Sequence, residues 1–286
     1  MKKNIVGFCG VIGAGWIAAI SLCGCCAEKA VSKDSGCSSS VGAAASAANG
    51  GVVRLFNGRN LDGWYTWLKG SGKNSDPKGI FTVNDGILRV SGEDFGGITS
   101  DEEFENFEAV VEFKWSAKKT CGSKTGKARD SGFLFASNGA DGGFSVWMPS
   151  LEVNIMEGRI GDFWVVAKKG EGFSISSTVK DVGNFKVYNP DGTAYELDCN
   201  RAGAICRIGI DPDWKDVTGA PDKSGIEKPC GEWNTLVLSV NKGVVEVRLN
   251  GTLVNKSSNF SPRKGRIQIQ SEGAEVFYRK IDIKKL

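Results

Sequence analysis

The sequence of 286 residues contains no histidine. Ser-His and Cys-His nucleophile pairs and histidine-held metals are therefore excluded, and acid–base chemistry falls to Asp, Glu, Lys, Tyr or Cys. A surplus of one charge is nearly absent too, since 36 Lys and Arg stand against 33 Asp and Glu. No basic stripe lies behind the formal +3, so nucleic acid is not an expected partner. Long amphipathic helices and internal repeats are also missing. What the chain has instead is 39 Gly, 15 Phe and 8 Trp, a mixture suited to frequent turns and to large side chains on strands.

At the N-terminus, Lys2 and Lys3 precede an uncharged run from Ile5 to Leu22, the pattern of an export signal over residues 1–25. The run is near the length of a short membrane-spanning helix, so an uncleaved anchor competes with it, as does simple secretion. Leu22-Cys23-Gly24-Cys25 resembles a bacterial lipobox. Cys25 is the expected lipidation site, the cell envelope the expected location, and a lipid anchor the expected membrane contact. Gly13-Ala14-Gly15-Trp16-Ile17-Ala18 imitates a dinucleotide fingerprint. No apolar run follows that could make the second strand such a site requires, so no nicotinamide cofactor is expected. Residues 26–51, rich in Ser, Ala and Gly, read as a disordered linker. From Val52 to Leu286 the composition is even, as in one domain.

That domain reads as β structure. In Phe107 to Trp115 the odd positions are apolar and the even ones mostly charged, the period of a half-buried strand. Ile80–Val83 and Ile87–Val90 flank Asn84-Asp85-Gly86, and Trp233–Val240 and Val244–Leu249 flank Asn241-Lys242-Gly243. Both are hairpin signals. Asn250-Gly251 turns into Thr252–Val254, and Gly265–Gln270 and Glu275–Ile283 close the chain. Short strands with turns this frequent favour an all-β sandwich of two antiparallel sheets. Cys121–Arg129 and Asp211–Cys230 are polar and Gly/Lys/Pro-bearing, and are expected as loops on one rim, where binding tends to sit. Cys121, Cys199, Cys206 and Cys230 fall in the folded part and can form two disulfides in three pairings. Cys199 with Cys206 is the nearest pair in sequence, and free thiols are the alternative.

The best candidate for chemistry is Met148 to Gly158. Read as a strand, Leu151, Val153 and Ile155 turn inward, and Glu152 and Asn154 share the other face. A carboxylate beside an amide can hold sugar hydroxyls, ligate a hard cation or move a proton, and a solvated strand face is the plain alternative. Arg129 and Asp130 enter an apolar strand as an adjacent cation and anion, fit either to stabilise an oxyanion or to fix a loop. Glu157 and Asp162, in a glycine-bearing turn, suit a divalent cation such as Ca²⁺ or a mobile site edge, with an ordinary surface turn as the plain alternative. Trp147 and Trp64 lie near Gly-rich or polar loops and are the tryptophans expected to be exposed to a sugar ring. Gln268 and Gln270 share a face, with Glu272 just beyond.

Leu55-Phe56-Asn57-Gly58-Arg59-Asn60-Leu61-Asp62-Gly63-Trp64 resembles the opening of the 3-keto-disaccharide hydrolase-like domain family. Later blocks keep the family's order: Asp85-Gly86-Ile87-Leu88, Phe107–Phe113, Asp130-Ser131-Gly132, Leu151–Ile155, Gly231-Glu232-Trp233-Asn234, Leu249-Asn250-Gly251 and Gly265–Gln270. The resemblance implies a concanavalin-like jelly roll that cleaves glycosides oxidised at carbon 3, by elimination followed by hydration. In that reading Glu152 is the base, Arg129 or a cation near Glu157 and Asp162 the electrophile, and Asn154 and Gln270 orienting groups. Two departures stand out. Asn154 occupies the place of a glutamine, and Ser271-Glu272-Gly273 the place of a histidine, so that either Glu272 takes that residue's part or the reaction is lost. The rival class is a non-catalytic, lipid-tethered carbohydrate-binding module on the same fold.

Overall fold

The computed structural model describes residues 51–198, 207–209, 211–220 and 222–286. The expected export signal with Cys25, the linker up to residue 50, and the Cys199–Cys206 pairing lie outside these residues. Cys121 and Cys230 are free thiols.

The described residues form strands joined by turns and loops, with one short 3₁₀ turn at Gly122–Lys124. In chain order the first strands are β1 (Val52–Arg54), β2 (Trp64–Leu68), β3 (Gly72–Lys73), β4 (Phe81–Asn84), β5 (Ile87–Val90), β6 (Gly96–Phe104) and β7 (Phe107–Trp115). The middle of the chain gives β8 (Asp130–Ser137), β9 (Ser150–Met156), β10 (Phe163–Val166), β11 (Ser174–Val182), β12 (Phe185–Tyr188), β13 (Thr193–Asp198) and β14 (Arg207–Ile208). The last are β15 (Asn234–Asn241), β16 (Val244–Leu249), β17 (Thr252–Ser261), β18 (Gly265–Ser271) and β19 (Val276–Lys285). An 11-stranded sheet runs β12-β11-β17-β16-β15-β7-β19-β5-β4, with β1 on β19 and β13 on β11. An 8-stranded sheet runs β14-β10-β9-β8-β18-β6-β2-β3.

The hairpins follow from their turns. Asp85 and Gly86 both take positive φ, 50° and 78°, which matches a two-residue turn to the twist of β4 and β5. Lys242-Gly243 and Asn250-Gly251 do the same on either side of β16. In β7 the alternation is strict, with Phe107, Ala109, Val111, Phe113 and Trp115 all buried.

The two sheets stack on a common core, so the expected antiparallel sandwich is observed. Val111, Phe113, Leu236 and Tyr278 of the larger sheet join Phe133, Phe135, Val153 and Ile269 of the smaller in one apolar cluster. Phe135 meets Phe260 edge to face at 5.5 Å. Ser131 Oγ lies 2.9 Å from Tyr278 Oη across the sheets.

The smaller sheet departs from a half-solvated one. β8 and β9 are buried at every position, so both faces are covered. Three loops supply the outer cover. They are 116–129, 138–149, and the described part of 209–233, which includes the two segments expected on the rim.

Candidate active site

Strand register assembles the outer face of the smaller sheet. Glu152 pairs with Leu134 on β8 and Trp164 on β10, and Asn154 pairs with Gly132. Asn154 donates its backbone N–H to Asp162 and accepts one from Gly161, which carries the ladder on and sets Asp162 opposite Asn154. On the other side, Gln268 pairs with Leu134 and Thr99, and Gln270 with Gly97. Tyr65 and Trp67 follow on β2. Because side chains alternate at period 2, Glu152, Asn154, Gln270, Asp162 and Trp67 all rise from one face. Leu151, Val153, Ile155 and Ile269 point into the core from the other.

Gly132 is the floor of this group. A Cβ there would lie 2.4 Å from both Glu152 Oε1 and Gln270 Oε1. A bare glycine therefore lets a carboxylate from β9 and an amide from β18 close over β8. Asn154 and Gln270 are 2% and 1% exposed, yet Asn154 Oδ1 and Gln270 Oε1 have no hydrogen-bond partner. Buried acceptors left open in this way point to a ligand that completes them.

Beside them stands a charge cluster. Cys121 donates its backbone N–H to the Gly273 carbonyl, which folds the 3₁₀ turn against the β18–β19 connection. Gly273 has φ 80°, and a Cβ on it would meet the Lys124 side chain at 2.7 Å. Lys124 crosses there, and its Nζ lies 2.5 Å from Asp130 Oδ2 and 2.8 Å from Glu272 Oε1. Burial raises all three carboxyl groups, Asp130, Glu152 and Glu272, above the usual carboxylate range. The Glu272 and Asp130 charges push Glu152 further up, and Lys124 only partly offsets them. Burial alone would pull the Lys124 ammonium down, but its two carboxylate partners outweigh that and hold it above the usual lysine range. Three largely enclosed acids with one ammonium among them retain a proton that exposed carboxylates would release.

Glu152, Asn154, Gln270, Asp130 and Glu272 are thus brought together, and the solvated-face alternative for Glu152 does not hold, since it is 7% exposed. Other expected residues stand elsewhere. Arg129 alternates to the opposite side from Asp130. Its guanidinium pairs with Glu157 and donates from Nε to the Ser116 carbonyl at 3.0 Å, so it is a buried brace and not a group facing Glu152.

In the turn expected to suit a cation, both carboxylates have protein partners. Glu157 is taken by Arg129 and by the Gly219 N–H, and Asp162 is paired with Arg159. Among the described residues no set of three or more Cys, Asp or Glu is arranged to hold a metal. Gln268 is engaged at both ends, its Nε2 donating to Ser150 Oγ at 2.8 Å and its Oε1 accepting from the Met148 N–H at 3.3 Å, so it clamps a loop. Trp64 is a core residue whose Nε1 donates to the Leu55 carbonyl at 2.7 Å. The frame of β2 turns Trp67 outward in its place. Trp147 is half-buried, stacks on Phe95 and donates to the Gly96 carbonyl at 2.8 Å.

The roles of Lys124 and Gly132 are not evident from the sequence. Arg159 carries one signal, since it precedes Asp162 by three residues, within reach of an ion pair.

Residues 51–284 match the model of the 3-keto-alpha-glucoside-1,2-lyase-like domain. No curated protein matches. Among solved structures, the chain is similar to a glycosyl hydrolase candidate from Parabacteroides distasonis. That pair is 20% identical with a TM-score of 0.48, covering 82% of this chain and 94% of that one. A second such candidate from the same organism is 17% identical with a TM-score of 0.46, covering 82% and 99%. A carbohydrate binding module from Bacillus subtilis is 12% identical with a TM-score of 0.40, covering 78% and 96%.

Proposed function

The chain belongs to the 3-keto-alpha-glucoside-1,2-lyase-like family, and from that membership and the buried acid cluster we propose that it cleaves 3-keto-glycosides on a concanavalin-like jelly roll. A ketone at carbon 3 acidifies the hydrogen on carbon 2. Glu152 takes that proton, the C2–H electron pair forms a C2–C3 double bond, and the carbonyl pair moves onto the C3 oxygen. When this enolate collapses, the ketone re-forms, a C1–C2 double bond appears, and the C1–O bond breaks. The departing oxygen takes a proton from the Asp130–Lys124–Glu272 group. Water then adds at carbon 1 and carbon 2 is reprotonated, so the net change is hydrolysis.

The observation that carries this reading is Glu152 itself. It is a buried carboxyl with a raised pKa, reaching over Gly132 on the face that also carries two acceptors without a partner, Asn154 Oδ1 and Gln270 Oε1. Such a base is stronger than an exposed one, and placement by two strands fixes it for proton transfer. The enolate oxygen needs a donor of its own, because Asp130 and Glu272 already share the Lys124 ammonium.

Incubation with 3-keto-trehalose and 3-keto-glucosides should release 3-keto-glucose. Glu152→Gln should lower the rate by about 10²–10⁴-fold with the fold intact by circular dichroism. Turnover unchanged in that variant would remove Glu152 from the mechanism. A second reading, the non-catalytic binding module, is favoured by one feature. Half-buried Trp67 lines an open cavity of about 480 Å³ with Asp141 and Gly142. Retention on oligosaccharides without any product would support it.

A further inference from the structure

A second cation lies on the same face as Glu152. Arg159 sits in the turn between β9 and β10, and its Nη2 is ion-paired with Asp162, the residue opposite Asn154. Both side chains are fully buried, at 1% and 0% exposed. The Trp214 ring closes over the guanidinium, 4.7 Å from centroid to Cζ, and Trp214 Nε1 is tied to the Glu157 carbonyl at 2.9 Å. Gly209 leaves room for it, since a Cβ there would come within 2.9 Å of Nη2. Even so, Arg159 Nε and Nη1 have no hydrogen-bond partner, and neither has Asn154 Oδ1 on the adjoining strand. A buried guanidinium with two unmet donors is strongly unfavourable unless something completes its shell.

Asp162 links the two, pairing its carboxylate with the guanidinium and its backbone with Asn154, and two open donors with one open acceptor complement a ligand that presents an oxygen acceptor next to an O–H donor. An α-hydroxyketone has that pairing, and a 3-keto sugar carries it at carbon 3 and its neighbours. The geometry points to Arg159 as the residue that binds the C3 ketone oxygen, with Asn154 Oδ1 accepting from the adjacent hydroxyl and Asp162 positioning the guanidinium. This assignment rests on the 3-keto reading above. As Glu152 removes the C2 proton, charge gathers on the C3 oxygen, and the Arg159 N–H groups hydrogen-bond to it without giving up a proton. Donors aimed at developing charge in a site closed to water act more strongly on the enolate than on the ketone. The same contact favours the oxidised sugar over its parent, whose C3 hydroxyl brings a donor hydrogen toward donors.

Calorimetric titration in the Glu152→Gln background, where substrate persists, tests the assignment. The 3-keto-glucoside should bind about tenfold or more tightly than the parent glucoside. Arg159→Lys, which keeps the charge but loses the planar fork, should erase that preference. The pair Arg159→Met with Asp162→Asn removes the cation without stranding its carboxylate, and serves if the single variant does not fold. With Glu152 present, either change should slow exchange of the C2 hydrogen into heavy water, and lower kcat, by about 10²–10³-fold. A keto preference that survives in folded variants, or C2 exchange at the original rate, overturns the role of Arg159 and leaves the 3-keto reading standing. If the unaltered protein neither turns over nor prefers any 3-keto-glycoside, that reading falls and this inference with it.

Discussion

At the scale of single residues, the site depends as much on one missing side chain as on those present. Gly132 has no need of its conformational freedom, since its φ is not among the positive ones. What it supplies is space, because a methyl group would sit 2.4 Å from two oxygens that belong to the proposed base and its amide neighbour. Both are ends of side chains that can yield, so Gly132→Ala should fold. The oxygens must part by an ångström or so, however, and misplacement on that scale costs on the order of 10²-fold in rate. Gly132→Ala is therefore expected to lower kcat/KM for a 3-keto-glycoside by about 10²-fold while thermal melting shifts little. A variant that melts many degrees lower, or keeps full activity, would show that the glycine serves packing instead. Half of this arrangement is legible in the sequence. Glu152 and Asn154 are, because a strand's period of two is visible in Leu151, Val153 and Ile155. Lys124 is not, because nothing local in a Gly- and Lys-bearing loop says that it will cross Gly273 to reach Glu272. Trp64, expected outward, lies in the core for a similar reason. Which of two tryptophans in β2 faces inward is set by pairing with β6, and no alternation in that short strand declares it.

At the scale of elements, three loops convert an ordinary sheet face into an enclosed one, held by specific hydrogen bonds. The segment 222–230 is tied in part through Glu227, whose Oε2 accepts the Gly158 N–H at 2.7 Å and whose Oε1 accepts the Trp115 indole N–H at 3.1 Å. Burial pushes this carboxyl up to about 7, with the nearby Glu157 and Asp222 charges adding to it and the two N–H donors opposing. Glu227 thus ties the end of β7, a strand of the larger sheet, to the turn that begins with Glu157 and carries Arg159. Its ionisation should perturb the Trp115 indole directly. A difference titration, unaltered protein minus Glu227→Gln, is expected to show a fluorescence transition with its midpoint at about 7. A transition that remains in the variant, or none in the unaltered protein, would place the ionising group elsewhere. The hairpins of the fold are legible from their Asp-Gly, Lys-Gly and Asn-Gly turns. This tie was not, because Trp115 looks like any other inward residue of an alternating strand, and Glu227 like any other loop acid.

At the scale of the whole molecule, stability and the proposed chemistry pull against each other, and proton linkage makes that tension measurable. The sandwich core is apolar and closed by both sheets, whereas the outer face of the smaller sheet buries Asp130 and Glu152 and half-buries Glu272, with one lysine paired to Asp130 and Glu272. Burial raises Glu152 well above its ordinary value of 4.5 in the folded protein, with the neighbouring carboxylates adding to the shift. The native state therefore holds its proton more tightly than the unfolded chain does. For a group shifted in this direction, the favourable contribution is complete below the unfolded value and disappears as pH rises through the folded one. Above that window the charged Glu152 is a net cost to folding, and a neutral side chain of the same shape removes it. Glu152→Gln should accordingly melt close to the unaltered protein at about pH 4 and above it at about pH 8, with a gap that widens as pH rises. The same variant is expected to lose activity, so one substitution separates what the residue does for catalysis from what it does to the fold. If Glu152→Gln melts lower at every pH, the carboxylate is a structural hydrogen-bonding group with needs the amide cannot meet, and its burial is no sign of a catalytic base.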